Sequence, residues 1–207
     1  MPHNNKNLAR TRQEIAQLAA KYVAEDGIND YLAAKRKAAI KLGLPADRNM
    51  PTNLEIEQAL IEYQALFQSM RQPGRLYDLR SKAAKAMQLL VEFQPRLVGP
   101  VLAGTATEHS DITLHLVSDE PELIGFHLDA HAIPYKNSTR SVKVNRTDRR
   151  DYPAYQFIAE NTKIVLVIFP EREKHNPPVC SISGKPMQRA SIQQLEKMIN
   201  NQVSDRL

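Results

Sequence analysis

Apolar residues recur with a helical period through the first ninety-odd positions and with a shorter period afterwards. Ile15, Leu18, Ala19, Tyr22 and Val23 stand at i, i+3, i+4, i+7 and i+8, which is one stripe of a helix ended by Asp26-Gly27. Asn29-Asp30 are capping residues for a second helix, YLAAKRKAAIKL, closed by Gly43. LPADRNMP is a loop with two prolines. Thr52 or Asn53 opens a third helix, with Glu55 and Glu57 in the first turn, where the helix dipole favours anions, and a stripe of Ile56, Leu60, Tyr63 and Phe67. Pro73-Gly74 reads as its break. A fourth helix carries Leu76, Leu79, Ala83, Met87 and Leu90 and stops before Pro95.

After Pro95 the period changes. LVGPVLAG is a short apolar run and reads as a strand, and GTATEHS reads as a turn. DITLHLVS alternates, with Ile112, Leu114 and Leu116 on one face and Asp111, Thr113 and His115 on the other. PELIGFHLDAHA predicts a helix with Pro121 at its start. PYKN and RSVKVN read as strand edges, and NRTDRRDYP as a polar loop. AYQFIAE and KIVLVIFP read as paired strands joined at Glu160-Asn161-Thr162. HNPPVCSISGKPM is a connection, and SIQQLEKMINNQ a last helix. The pattern predicts an α+β protein: a helical region over residues 1–94, then a mixed sheet with flanking helices over residues 95–207.

Composition narrows the classes. The chain has 207 residues, 42% hydrophobic and 25% charged, which suits a folded core rather than a disordered chain. No apolar run reaches the roughly 20 residues of a membrane helix, so no membrane partner is expected. MPHNNKNLARTRQEIAQ lacks the apolar core of a secretory signal. The single Cys180 cannot form an internal disulfide, and the expectation is a cytoplasmic protein. Residues 1–103 hold 15 Lys and Arg against 10 Asp and Glu, while residues 104–207 hold 13 of each, so the net charge of +5 lies in the first half.

The run from the fourth helix through VGPVLAGTATEHSDITLHL to the next helix resembles the nucleotidyltransferase superfamily of the DNA polymerase beta type. Gly104-Thr105 occupies the position of that family's glycine motif, and Asp111 that of the first carboxylate of its Asp-x-Asp pair. The resemblance implies that Gly104 and Thr105 line a triphosphate, and that Asp111 is the principal Mg²⁺ ligand and catalytic carboxylate. In such sites carboxylates at i and i+2 of a strand, joined by a third, hold two Mg²⁺ ions about 3.5–4 Å apart. This chain departs from the pattern. The second position is Thr113, a neutral and weaker ligand. The strand Ile164–Phe169 carries no carboxylate, and Glu160 and Glu171 stand only at its ends. Glu108 in the turn is a further carboxylate near Asp111 in sequence.

The whole chain, through AEDGINDYLAAKRKAA, NLEIEQALIEYQALFQ and GKPMQRAS, also resembles a family of bacterial proteins of this length labelled nucleotidyltransferase or UDP-N-acetylmuramate–alanine ligase. An ATP-dependent ligase of that kind needs a GxxGK[ST] loop. The only Gly-Lys here is Gly184-Lys185-Pro186, where proline removes both hydroxyl and amide, and a turn is the expected reading.

Other residues carry alternatives. Asp111 is either a metal ligand or a turn-capping carboxylate. His115, sharing its face, is either part of a transition-metal site or structural. His127 and His131 have the i, i+4 spacing of a metal pair, or lie on a solvated helix face. Cys180 is read as an ordinary thiol. Lys35, Arg36, Lys37 and Lys41, with Arg75, Arg80, Lys82 and Lys85, could meet phosphates, or face solvent with Ala33, Ala34, Ala38, Ala39 and Leu42 buried. Two function classes follow. One is a nucleotidyltransferase-superfamily protein that binds a nucleotide or nucleic acid with degenerate catalytic carboxylates. The other is a non-enzymatic regulator or adaptor whose basic helical half binds a protein partner.

Overall fold

The computed structural model describes residues 2–45, 49–145 and 147–204, apart from the side chains of residues 2–7 and of Val203. Part of the expected LPADRNMP loop, residues 46–48, lies outside the described residues. The described residues form seven α-helices and one five-stranded mixed sheet, an α+β architecture. They divide into two compact units, described separately below.

The first unit comprises residues 1–73, 105–110 and 181–183. It contains α1 (Pro2–Glu25), α2 (Tyr31–Lys41) and α3 (Asn53–Phe67). Ile15, Ala19 and Val23 of α1 pack with Ala34, Ala38 and Ala39 of α2 and with Ile56 and Leu60 of α3. Alanines at these contacts allow the helix backbones to approach closely. Asp30 caps α2 through Leu32 N, as its sequence position predicts. Thr52 caps α3 in a reciprocal box: Glu55 N donates to Thr52 Oγ1 at 3.2 Å, and Thr52 N donates to Glu55 Oε2 at 2.7 Å. Arg12 Nη2 of α1 donates to the same Glu55 oxygen at 2.7 Å. Burial opposes the charge of Glu55, but the bonds from Arg12 and Thr52 prevail and hold its pKa down to about 2.

The helix stripes are narrower than their periodicity implies. Phe67 and Leu42 are exposed, and the buried position on the last turn of α3 is Gln64. Pro73-Gly74 does not break the chain; the break is at Gln68–Arg71. Pro73 sits in the first turn of α4 (Gln72–Leu89), where a missing N–H costs nothing.

The second unit comprises residues 74–104, 111–180 and 184–207. The division therefore falls ahead of most of α4 rather than at residue 94. The cause is visible in the side chains of α4. Arg80 donates to the carbonyls of Val101 and Leu102, and Lys82 Nζ to the Glu160 carbonyl. The remaining elements of this unit are β1 (Arg96–Val98), α5 (Pro100–Ala103), β2 (Ile112–Val117), α6 (Glu122–Ala130), β3 (Lys136–Lys143), β4 (Arg149–Ala159), β5 (Thr162–Phe169) and α7 (Ile192–Ser204). The strand order is β1-β2-β5-β4-β3, with only β2 and β5 parallel.

LVGPVLAG is not one strand. β1 ends at Val98 because Gly99 takes φ 76° and Pro100 opens the short α5, which Gly104 closes at φ 91°. The loop expected over NRTDRRDYP yields to β4, which starts at Arg149. Proline is tolerated at position 153 because β4 pairs with β5 only from Ala154, so Pro153 bonds β3 alone. PYKN and RSVKVN merge into one β3. The Glu160-Asn161 turn forms as expected, with both residues at positive φ.

The alternation in β2 holds on its aliphatic face. Ile112, Leu114 and Leu116 are fully buried and register with Ile164, Leu166 and Ile168 of β5. Tyr152, Val165, Val167 and Phe169 form a second cluster on the opposite face. α7 begins with another reciprocal cap, Ser191 N to Gln194 Oε1 at 2.8 Å and Gln194 N to Ser191 Oγ at 3.3 Å.

Thr52→Ala should destabilise the chain by about 1 kcal/mol, the usual cost of losing a helix N-cap. Denaturant midpoints at constant slope measure it. A loss within experimental error would show that Arg12 holds Glu55 without the cap.

Candidate functional site

The glycine–threonine pair and the carboxylate of the expected motif are each held by internal bonds. Gly104 is the left-handed end of α5. A Cβ there would lie 3.9 Å from the Leu76 side chain, an ordinary contact, so its φ and not a crowded approach calls for glycine. In the first unit, Thr105 is 4% exposed, and its hydroxyl donates to Glu57 Oε1 at 3.1 Å. Tyr31 Oη donates to the other oxygen of Glu57 at 3.1 Å. The buried Gln64 donates to the Thr105 and Ala106 carbonyls at 3.2 and 3.3 Å. His109 lies against Gly27, where a Cβ would stand 2.6 Å from its ring. Turn 105–110 is thus stitched to α3 side chains and lies against the turn that follows α1.

Asp111 immediately precedes β2. One step back along the parallel register from Ile112 and Ile164 puts it opposite Lys163, and its Oδ2 meets Lys163 Nζ at 2.6 Å. The Asp111 side chain is 25% exposed. Thr113 is half-buried, registered between Val98 and Val165. Glu160 pairs with Lys85 at 3.0 Å, and Glu171 with Lys174 at 2.9 Å. Among the described residues no three His, Cys, Asp or Glu side chains gather as a metal would need. The donor set therefore does not fit two Mg²⁺ ions: one carboxylate engaged with an ammonium, and one neutral hydroxyl.

Asp111 and His115 do share a face, but four residue steps along the strand separate them by about 13 Å, too far to ligate one ion. His127 is committed on both nitrogens, Nε2 to the Leu89 carbonyl at 2.9 Å and Nδ1 to Glu92 at 2.7 Å. His131 stacks on it at 4.5 Å between centroids. Gly184-Lys185-Pro186 is a turn: Gly184 has φ 68°, and Cys180 N donates to the Lys185 carbonyl at 2.8 Å.

Most of the expected phosphate-binding cations have partners. Lys35 Nζ donates to the Pro51 carbonyl at 3.1 Å, and Lys37 Nζ meets Asp26 at 2.7 Å. Lys82 meets Asp78 at 2.8 Å, and Arg80 is buried on the carbonyls of α5. Arg36 is exposed. Counted by compact unit, the first holds 10 Lys and Arg against 9 Asp and Glu, and the second 18 against 14. Most of the excess charge thus travels with the sheet.

The second unit contains a cavity of about 180 Å³ at the carboxyl ends of the parallel strands β2 and β5. Its walls include Arg96, His115, Phe169, Lys174, His175 and Arg189, and no carboxylate of the described residues lines it. Arg96 pairs directly with His115 across β1 and β2. Arg189 is brought in by an antiparallel bridge in which Leu97 and Ala190 exchange backbone bonds of 2.9 Å. Its Nη2 donates to the Lys174 carbonyl at 2.8 Å. Burial, then the neighbouring Arg96, pulls the Arg189 pKa below its ordinary value. His115 is 4% exposed, lies 4.6 Å from the Phe169 ring, and its buried Nδ1 has no hydrogen-bond partner among the described residues. Burial, and secondarily the Arg189 charge, brings its pKa down to about 3, so the ring is neutral. The sequence signalled only His115. Arg96 and Arg189 stand alone in apolar or turn segments, with no periodic feature to single them out.

A scan against protein-family models and a search of curated proteins return no significant match to this chain.

Two outcomes follow from these contacts. A double-mutant cycle with Asp111→Asn and Lys163→Met should give a coupling of about 0.2–1 kcal/mol, the range for a partly exposed ion pair. A coupling of zero would mean that Asp111 is held by something else. For His115, the unfolded chain binds a proton near pH 6.5 and the folded chain only near 3. The unfolded state thus binds more protons in that window, so stability is full above 6.5 and falls as pH drops toward 3. His115→Phe should lose less stability than the wild type over that range in pH-dependent urea melts. Parallel curves would contradict the buried neutral ring.

Proposed function

We propose that this chain is a nucleotidyltransferase-like protein that binds a nucleotide through its phosphates and does not carry out two-metal nucleotidyl transfer. The observation that supports the second half of this reading is the Asp111–Lys163 pair at 2.6 Å. An ammonium on the first carboxylate supplies the positive charge that a metal would otherwise supply. With threonine at position 113, no second carboxylate draws an ion in. The order helix, strand, turn, strand and helix of the resemblance recurs over residues 80–130 with the short α5 added between β1 and the turn, and the excess of cations on the second unit suits a phosphate-bearing ligand.

A second reading, a non-enzymatic adaptor, has its own support. Leu66, Phe67 and Met70, at and just beyond the end of α3, are 75%, 71% and 96% exposed. Such side chains in one short stretch suit a protein contact better than a nucleotide.

Calorimetric titration of a nucleoside triphosphate in EDTA and in Mg²⁺ separates binding from catalysis. Dissociation constants within about threefold of each other, with no pyrophosphate released, are expected. Mg²⁺-dependent pyrophosphate release that Asp111→Ala abolishes would overturn the proposal, and the absence of any nucleotide binding would favour the adaptor.

A further inference from the structure

The cavity at the carboxyl ends of β2 and β5 has the composition of an oxyanion site. Ligands of open α/β sheets bind outside the carboxyl ends of parallel strands, and β2 and β5 are the parallel pair of this sheet. The face is set by backbone geometry. Leu97 and Ala190 bridge on the aliphatic side, so their neighbours Arg96 and Arg189 project to the other side, beside His115. Three polar side chains, distant in sequence, therefore meet over Phe169.

The charge balance selects the ligand. Lys174 is neutralised by Glu171 at 2.9 Å. Arg96 and Arg189 have no carboxylate partner among the described residues, and the Arg96 charge adds to burial in lowering the Arg189 pKa. Two adjacent uncompensated guanidinium groups leave a local charge of about +2, because Arg stays protonated in proteins. A phosphomonoester carries about −1.5 to −2 near neutral pH and offers three acceptor oxygens, whereas a carboxylate carries −1. Guanidinium groups also match phosphate geometry in a bidentate way. The volume points the same way. A cavity of about 180 Å³ is smaller than the ~300–1,000 Å³ of sites that enclose a whole drug-sized ligand, so it holds a group rather than a whole molecule. A buried imidazole whose Nδ1 no described residue satisfies is costly unless a ligand compensates it.

We propose that Arg96, Arg189 and His115 form a binding site for a phosphoryl group, either inorganic phosphate or the terminal phosphate of a small phosphomonoester. The two arginines clamp the oxygens, and the neutral ring of His115 adds a hydrogen bond from the floor. This site is distinct from the glycine–aspartate motif and does not depend on the nucleotidyltransferase reading.

The test is a titration of the full chain with inorganic phosphate at ionic strength fixed by NaCl. It is followed by calorimetry and by the His115 imidazole NMR signals, assigned from their loss in His115→Phe. The expected result is saturable binding at one site per chain, a saturable shift of the His115 signals, and affinity at least tenfold weaker in Arg96→Gln and in Arg189→Gln. Acetate at equal concentration should leave the His115 signals in place. Should Arg189→Gln fail to fold, the wild-type NMR titration and Arg96→Gln decide the matter. Absence of saturation, an equal response to acetate, or wild-type affinity in folded Arg96→Gln would each overturn the proposal. Loss of phosphate binding in Arg96→Gln with nucleoside triphosphate binding retained would support the site and separate it from the function proposed above.

Discussion

The parallel register of β2 against β5 governs both ends of the sheet's chemistry. Both strands are largely buried and each is paired on both edges, so a slip of one residue would turn Ile112, Leu114 and Leu116 out of the aliphatic layer. With the register locked, Asp111 falls opposite Lys163 at the amino end, and His115 sits by Phe169 toward the carboxyl end. One constraint thus neutralises the carboxylate of the expected motif and buries an imidazole next to uncompensated arginines. The aliphatic layer specifies the pairing, and the polar consequences follow from it.

The two ends differ in how their charges are compensated. At the amino end, opposite charges meet within the protein and cancel. At the carboxyl end, like charges are brought together by the Leu97–Ala190 bridge, and Arg189 loses proton affinity first through burial and then through the Arg96 charge. Holding unpaired guanidinium groups beside a desolvated histidine costs folding free energy. Such a cost is characteristic of places where a ligand supplies the missing counter-charge.

Much of the fold was legible in sequence because it rests on local rules. The capping positions Asp30 and Thr52, the alternation of Ile112, Leu114 and Leu116, and the turn at Glu160-Asn161 all appear where the residues imply them. The structure departs from the sequence pattern where tertiary context overrides a local signal. Pro73 opened a helix instead of ending one, and Pro153 sat in a strand because only one edge there is paired. The motif residues were legible as residue types, but their partners were not. Glu57 reaches Thr105, and Lys163 reaches Asp111, across separations that no spacing rule spans. Arg96 and Arg189 were invisible for the same reason: only the bridge at Leu97 and Ala190 makes them neighbours.

The Asp111–Lys163 pair neutralises the motif end of β2, and the proposed phosphate site lies at the other end. Crystals grown with inorganic phosphate and Mn²⁺, with anomalous data collected for the metal, test both directly. Phosphate density between Arg96 and Arg189, with Asp111 still on Lys163 and no manganese peak beside it, is the expected result. A manganese ion ligated by Asp111, with the carboxyl-end cavity free of phosphate, would contradict both.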